Sequence, residues 1–348
     1  RIKIFLMAGR DDIDFGTTNI PRLFTKMFIP TLLGMVSWSL LTIIDGVFVG
    51  WGVGSNGIAA INICYPIFLV LTGFALMVGM GASVVASIHL SQDNVKAARI
   101  NVTQAVWFST FVVIGAMIFI LLAPEQISYM LGASPTLMPY VMDYTLWLMP
   151  GFVFEMFGLI GLFIIRLDGA PRYVMWCNII PAVLNAILDW VFIFPVGMGV
   201  EGAGIATSMC MGLGGVMALV YLLMPSHKLS VVVPKFSLKS LRLSLRNVWY
   251  QCRIGVSSLM GEISLAVFVF VGNLVFMRFL GDDGVGAFGI SCYYTPFFFS
   301  VGNSIAQSAQ PIISYNYGVE RWTNVAKVRR LLLTTSISLP DRRMASRR

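Results

Sequence analysis

Apolar residues run through this chain in long blocks broken by short polar stretches. The blocks cover 27–50, 57–89, 102–123, 136–165, 173–194, 200–224, 254–280 and 284–317. Each reaches the roughly 20 residues that an α-helix needs to cross a hydrocarbon core of about 30 Å, so the pattern predicts eight spanning helices. Those at 57–89, 136–165 and 284–317 exceed one bilayer thickness and should tilt or protrude. Pro66, Pro150, Pro181, Pro296 and Pro311 fall inside blocks, which membrane helices tolerate because neighbouring helices satisfy the freed carbonyls.

A shift of 227 residues lays the chain on itself without a gap. Leu32 meets Leu259, Gly34 meets Gly261, Ser37 meets Ser264, Gly54 meets Gly281 and Gly57 meets Gly284. Ala60, Ile63, Ala82 and Ser87 meet Ala287, Ile290, Ala309 and Ser314. Six spans separate the copies, so both run in the same direction, as in parallel repeats of secondary transporters. The expected fold is therefore an all-α polytopic membrane protein built from two parallel six-helix lobes.

Two complete copies require roughly 450 residues and twelve helices. The chain has 348 residues, so the second lobe is expected to be incomplete, with about eight or nine helices present. The apolar stretch LLLTTSISLP (331–340) is too short to span and reads as the start of a ninth helix. The tail DRRMASRR (341–348) matches no part of the first copy and is expected to be non-native. The expected organisation is a cytoplasmic segment 1–26, a six-helix lobe 27–224, a basic linker 225–253 and a partial lobe 254–340. Met7, opening MAGRDDIDFG, is the expected initiator, with 1–6 derived from upstream.

Charge fixes the orientation. Lys and Arg gather before the first span (1, 3, 10, 22, 26) and in the second–third loop (96, 99). They recur in the fourth–fifth loop (166, 172), the sixth–seventh loop (228, 235, 239, 242, 246, 253) and after the eighth span (321, 327, 329, 330). The alternate loops hold only Arg278. Positive residues stay in the cytoplasm, so the N-terminus is expected inside, in a multi-pass protein of the cell membrane. The bases at 235, 239, 242, 246 and 253 form one helical stripe and predict an interfacial helix resting on anionic headgroups.

Composition agrees: 57% of residues are hydrophobic and 11% charged, where a soluble protein carries about 25% charged. The net charge of +8 belongs to the loops and is no nucleic-acid footprint. The five cysteines stand singly, without metal-ligand or disulfide spacing, and His89 and His227 lie near helix ends. No phosphate-binding loop or nucleophile constellation points to an enzyme, and no cofactor is expected.

Acids inside apolar spans carry the functional signal, because a buried charge there is costly without a partner or a task. They are Asp45, Asp143, Glu155, Asp189 and Glu262; Asp45 has no Lys or Arg within eighteen residues on either side. Asp45 and Asp189 each lie five residues before the outer end of their spans, and Asn185 is one turn below Asp189 on the same face. Tyr144 and Thr207 reach the same depth. Two carboxylates, an amide and two hydroxyls suit Na⁺, a hard cation that takes oxygen ligands. They suit a proton equally, since two acids in a poorly hydrated pocket cannot both ionise cheaply. The second copy places Gly272 opposite Asp45 and Glu262 opposite Met35, so the lobes differ chemically.

At these residues the chain resembles the multidrug and toxic compound extrusion family. The resemblance rests on IIDGVFVGWGVGSNGIAA (43–60), on LDGAPRYVMWCNIIPAVLNAILDWVFIFPVGMGVEGAGIATS (167–208) with its N-x-x-x-D pair, and on AQPIISYNYG (309–318). It implies two lobes around a central cavity and export of organic cations or amphipathic drugs by alternating access, driven by Na⁺ or H⁺ entry. It implies a cation site at Asp45, Asp189, Asn185, Tyr144 and Thr207, coupling or substrate roles for Glu262, Gln310 and Glu155, and a hinge at Pro30. A monomer in contact with membrane lipids is expected. Two other readings stay open: an inactive fragment of such a transporter, and a lipid-linked saccharide flippase, against which the scarcity of in-span cations speaks.

Overall fold

In a computed structural model, residues 13–17, 19–232 and 238–345 are described, with side chains except at 238–239 and 336–345. The expected start at Met7, Lys235, the side chain of Lys239 and the last residues 346–348 lie outside what is described. Among the described residues the regular secondary structure is all helix, as expected. The helices are α1 Ile20–Gly52, α2 Ser55–Ser91, α3 Val95–Leu122, α4 Pro124–Met130 and α5 Met138–Leu167. Then follow α6 Pro171–Ile193, α7 Gly199–Leu223, α8 Leu238–Gly318 and α9 Trp322–Ala345. Seven of these are long and apolar enough to cross a membrane.

Helix ends differ from hydropathy where capping overrides it. α1 begins at Ile20 rather than 27, because the Asn19 side chain accepts from the Arg22 amide and proline occupies the first turn. α3 begins at Val95 because Asn94 caps the Ala97 amide. The short α4 lies between the third and fourth spans and leaves no apolar signal of its own. Residues 341–345, expected to be a tail, continue α9.

α5 runs past the expected 165 to Leu167, which moves Arg166 from a loop into a helix, where it is buried. α8 begins at Leu238, so the basic stripe is the opening of the seventh span's own helix and not a separate surface helix. Arg242, Arg246 and Arg253 stay exposed beside exposed Leu241, Leu245 and Trp249. The opposite face is polar and packs on α3: Asn247 donates to Gln104, and Gln251 to Asn101.

The expected seventh and eighth spans are two arms of α8, broken at Gly281 (φ 67°, ψ −156°). Gly54, its counterpart in the 227-residue repeat, ends the α1–α2 turn with nearly the same backbone (φ 89°, ψ −161°). L-residues rarely adopt that region, which explains glycine at both positions.

The largest interface joins α2 to α8. Along the second arm, equivalent positions touch each other. The Ser83 hydroxyl meets Gln310 Oε1 at 3.2 Å, and a Cβ on Gly289 or Gly318 would meet Asn62 or Ser91, each pair 227 apart. Positions related by a two-fold meet only on its axis, so the pseudo-dyad runs along this seam. Against the first arm the backbones nearly touch: a Cβ on Gly81 would lie 2.0 Å from the Gln251 carbonyl oxygen, and one on Gly255 1.9 Å from that of Met77. Small residues allow such approach where no hydrophobic effect drives helices together. Asn62 and Asn273 exchange hydrogen bonds within the interface.

Candidate functional site

Close approaches at glycine set the register that builds the site. On α1 and α6, Gly34 faces Met175 and Asn178, and Gly52 faces Ile193. The two helices run in parallel at an offset of 141–144 residues, which brings Asp45 to the level of Asp189. The two carboxyls lie within hydrogen-bonding reach of one another. On α5 and α7, Gly151 packs against Ser208 and Gly204 against the Tyr144 backbone, which sets Tyr144 beside Thr207.

The result is a cavity of about 110 Å³. α1 contributes Trp38, Leu41, Thr42 and Asp45; α2 contributes Cys64, Tyr65 and Phe68. Tyr144 comes from α5, Asn185 from α6 and Thr207 from α7. The second arm of α8 closes the cavity with Tyr293 and Pro296. Asp45 is 9% exposed, and Asp189, one turn beyond Asn185 behind the wall, is wholly buried.

Buried polar atoms are normally hydrogen-bonded, and here they are not. Asp45 Oδ1, both Asp189 oxygens, Asn185 Nδ2, Thr207 Oγ1 and the Tyr293 hydroxyl have no hydrogen-bond partner among the described residues. Two ionised carboxyls have no proton to place between them, so their proximity satisfies neither. Hydroxyls elsewhere in the spans can be satisfied within their own helix: Thr31 and Thr110 return theirs to the preceding turn. The unspent oxygens around the two carboxylates could take a small cation, whereas Asn185 Nδ2, a donor, could not.

The other sequence candidates fall elsewhere. Glu262 is half-buried against Gly73 of α2, next to Tyr65 but outside the cavity. Glu155 lies beside Gly158, where α5 meets Gly214 and Gly215 of α7. Gln310 is in the α2–α8 seam, bonded to Ser83 and Ser314. Asp143 is exposed. Pro30 is buried inside α1, where it leaves the Lys26 carbonyl without its helical donor. His227, which has no partner by sequence, stacks on Tyr221 at 3.8 Å and approaches Asp168 at 3.4 Å.

Sequence reasoning missed Tyr293, Tyr65, Trp38 and Thr42. Trp38, Leu41, Thr42 and Asp45 share one face of α1 at helical spacing, so that stripe was legible. Tyr293 was not, since its place depends on how α8 meets α1. A Cβ on Gly46 would lie 2.6 Å from the Tyr293 ring, so this glycine admits the ring. Gly46→Ala should lower the thermal midpoint in detergent by the equivalent of about 1–3 kcal/mol. In a Tyr293→Ala background the same change should cost nothing, and a full cost there would show that the ring is not what the methyl meets.

The fold and site define a multi-pass membrane protein with two related helical repeats and a buried polar cavity. A family profile described as MatE matches residues 30–191. Over those residues the chain resembles the multidrug and toxic compound extrusion proteins. Among curated relatives, multidrug export protein MepA of Staphylococcus haemolyticus (strain JCSC1435) is 26% identical over 317 residues, 87% of this chain and 66% of its own. The FAD transporter of Shewanella oneidensis (strain ATCC 700550 / JCM 31522 / CIP 106686 / LMG 19005 / NCIMB 14063 / MR-1) is 24% identical over 86% of this chain and 66% of its own. The chain thus spans just under two thirds of these relatives. The structure of the MATE multidrug transporter DinF-BH superposes with a TM-score of 0.83 at 27% identity, covering 94% of this chain and 72% of that one.

Proposed function

We propose that this chain is a cation-coupled antiporter of the cytoplasmic membrane, with its N-terminus inside, that exports amphipathic or cationic organic molecules in exchange for Na⁺ or H⁺. The observation that carries this reading is the Asp45–Asp189 pair with its unspent oxygen ligands on an aromatic-walled cavity. Na⁺ would take carboxylate oxygens of both acids together with Asn185 Oδ1 and the Thr207 hydroxyl. A proton would be shared between the carboxyls. Either ion cancels one of the pair's two negative charges, and the energy of that relief is available to favour one arrangement of α1 over another. Pro30 offers α1 a place to bend. Glu262, Glu155 and Gln310 stand in this proposal as coupling or substrate contacts of the wider cavity.

The cavity's volume suits an ion better than a drug, since drug-sized pockets hold about 300–1,000 Å³. Cargo would enter after the lobes separate, against Trp38, Tyr65, Phe68 and Tyr293. The names of the relatives include both drug export and FAD transport. An anionic dinucleotide or a lipid pyrophosphate calls for a cationic wall, and neither Lys nor Arg lines this cavity. Cationic and neutral amphipaths therefore fit it better.

The test is dye transport into or out of vesicles carrying the protein under an imposed Na⁺ or pH gradient. One of the two gradients should drive export of a cationic dye. Dye movement indifferent to both gradients would sink the antiport reading.

A further inference from the structure

Arg166 is 1% exposed and is the largest side chain among those wholly buried. It sits at the end of α5, on the side of the bundle where α1 begins, with Ile164 and Ile165 in the same core as Ile20 and Leu23. Its Nη1 donates to Gln307 Oε1 at 2.6 Å. Gln307 belongs to the second arm of α8, so the bond crosses from the first repeat to the second. Nε and Nη2 have no partner among the described residues. Asp168, two residues on, is engaged by the Tyr221 hydroxyl, the Leu229 amide and His227.

Around this bond the seam is polar. Ser83 of α2 donates to Gln310, one turn from Gln307, and Gln310 donates to Ser314. At the far end of the same seam, Ser55 donates to Asp283 at 2.8 Å. The inner end is thus closed over a guanidinium that keeps its charge and is offered one neutral amide. Taking an ion out of water costs more than one hydrogen bond returns. The closed inner seam bears that cost, and it is relieved when the repeats part there and water reaches Arg166.

We propose that Arg166 and Gln307 form a state-setting latch between the repeats. Gln307 favours closure of the inner seam by holding the guanidinium, and the incomplete solvation of Arg166 favours opening. Their opposition keeps the two states close in free energy, which a carrier requires if an ion or a cargo molecule is to move the balance. The inference rests on the alternating-access reading above. Arg166 acts on the state balance and not on the ion, so it is a positioning residue.

The experiment places spin labels at exposed Lys96 on α3 and Lys327 on α9, in a cysteine-free background in lipid vesicles, and measures the distance distribution. Gln307→Leu removes the one partner and should raise the open-to-closed ratio by at least about tenfold, the effect of losing a hydrogen bond to a charged group. Gln307→Glu supplies a counter-charge and should lower it. Arg166→Met, which replaces the charge by apolar volume, should also lower it. A packing role alone would move all three variants the same way. Two populations whose ratio ignores both Gln307 substitutions, or shifts the same way in each, would overturn the latch. A single unmoving distance in every variant, with and without cargo and ion gradients, would overturn the carrier reading itself.

Discussion

Asp45→Asn and Asp189→Asn should each abolish cation-driven export while the protein still inserts and remains monodisperse. The change is nearly isosteric and keeps a hydrogen-bonding group in place, so packing around α1 and α6 is preserved. What it removes is charge. Hydrogen bonds and contacts to charged groups are worth about 1.5–3 kcal/mol each, which puts the loss of ion affinity at roughly ten- to hundred-fold for one carboxylate. The remaining acid then faces an amide and no longer needs a cation to relieve like-charge repulsion. Asp143 supplies the control. By sequence it is another acid inside the same span as Tyr144, but it is exposed, and Asp143→Asn should leave export near its original rate. The measurement is dye export from vesicles normalised to inserted protein. Full activity in either cavity variant would remove the Asp45–Asp189 pair from the mechanism.

Gly255→Val should be strongly destabilising at a position with no part in ion binding. Even the first carbon of a side chain there would lie 1.9 Å from the Met77 carbonyl oxygen of α2. A backbone atom cannot swing aside as a side-chain tip can, so α2 and α8 must separate along the interface that joins the repeats. The expected cost is at or beyond the upper end of the roughly 1–3 kcal/mol typical of overpacking. Gly261, on the same helix, has nothing within 4 Å of its would-be Cβ. Gly261→Ala should be neutral or stabilise by up to about 1 kcal/mol through better helix propensity. Thermal aggregation in detergent reads both, and equal behaviour of the two variants would mean that the close approach is absent in the membrane.

The location of each spanning segment was legible because each residue's preference for lipid over water is its own property and sums along a window. The caps at Asn19 and Asn94 start two helices outside their apolar blocks, where hydropathy gives no signal. The glycine pair Gly54 and Gly281 stood out as an identity in the repeat, and the backbone conformation they share gives the identity its cause. Half of the site was similarly open: Asn185 and Asp189 are one helical turn apart, so their common face follows from α6 alone.

The rest lies between helices. Whether Asp45 meets Asp189 depends on the offset set by Gly34 and Gly52 against α6. That Tyr293 closes the cavity depends on a space left by Gly46. Arg166 read as a loop base, because a charge beside an apolar block is ordinarily drawn into water; the fold instead extends α5 and covers it with Gln307. The sequence by itself determined the spanning helices and the parallel repeat, both of which follow from local patterns and single-residue transfer energies. The tertiary structure alone decided which acids face each other, which residue of the second repeat completes their cavity, and which charge is locked in the seam. Those depend on backbone contacts between segments far apart in the chain, where one missing Cβ sets the distance and no periodicity records it.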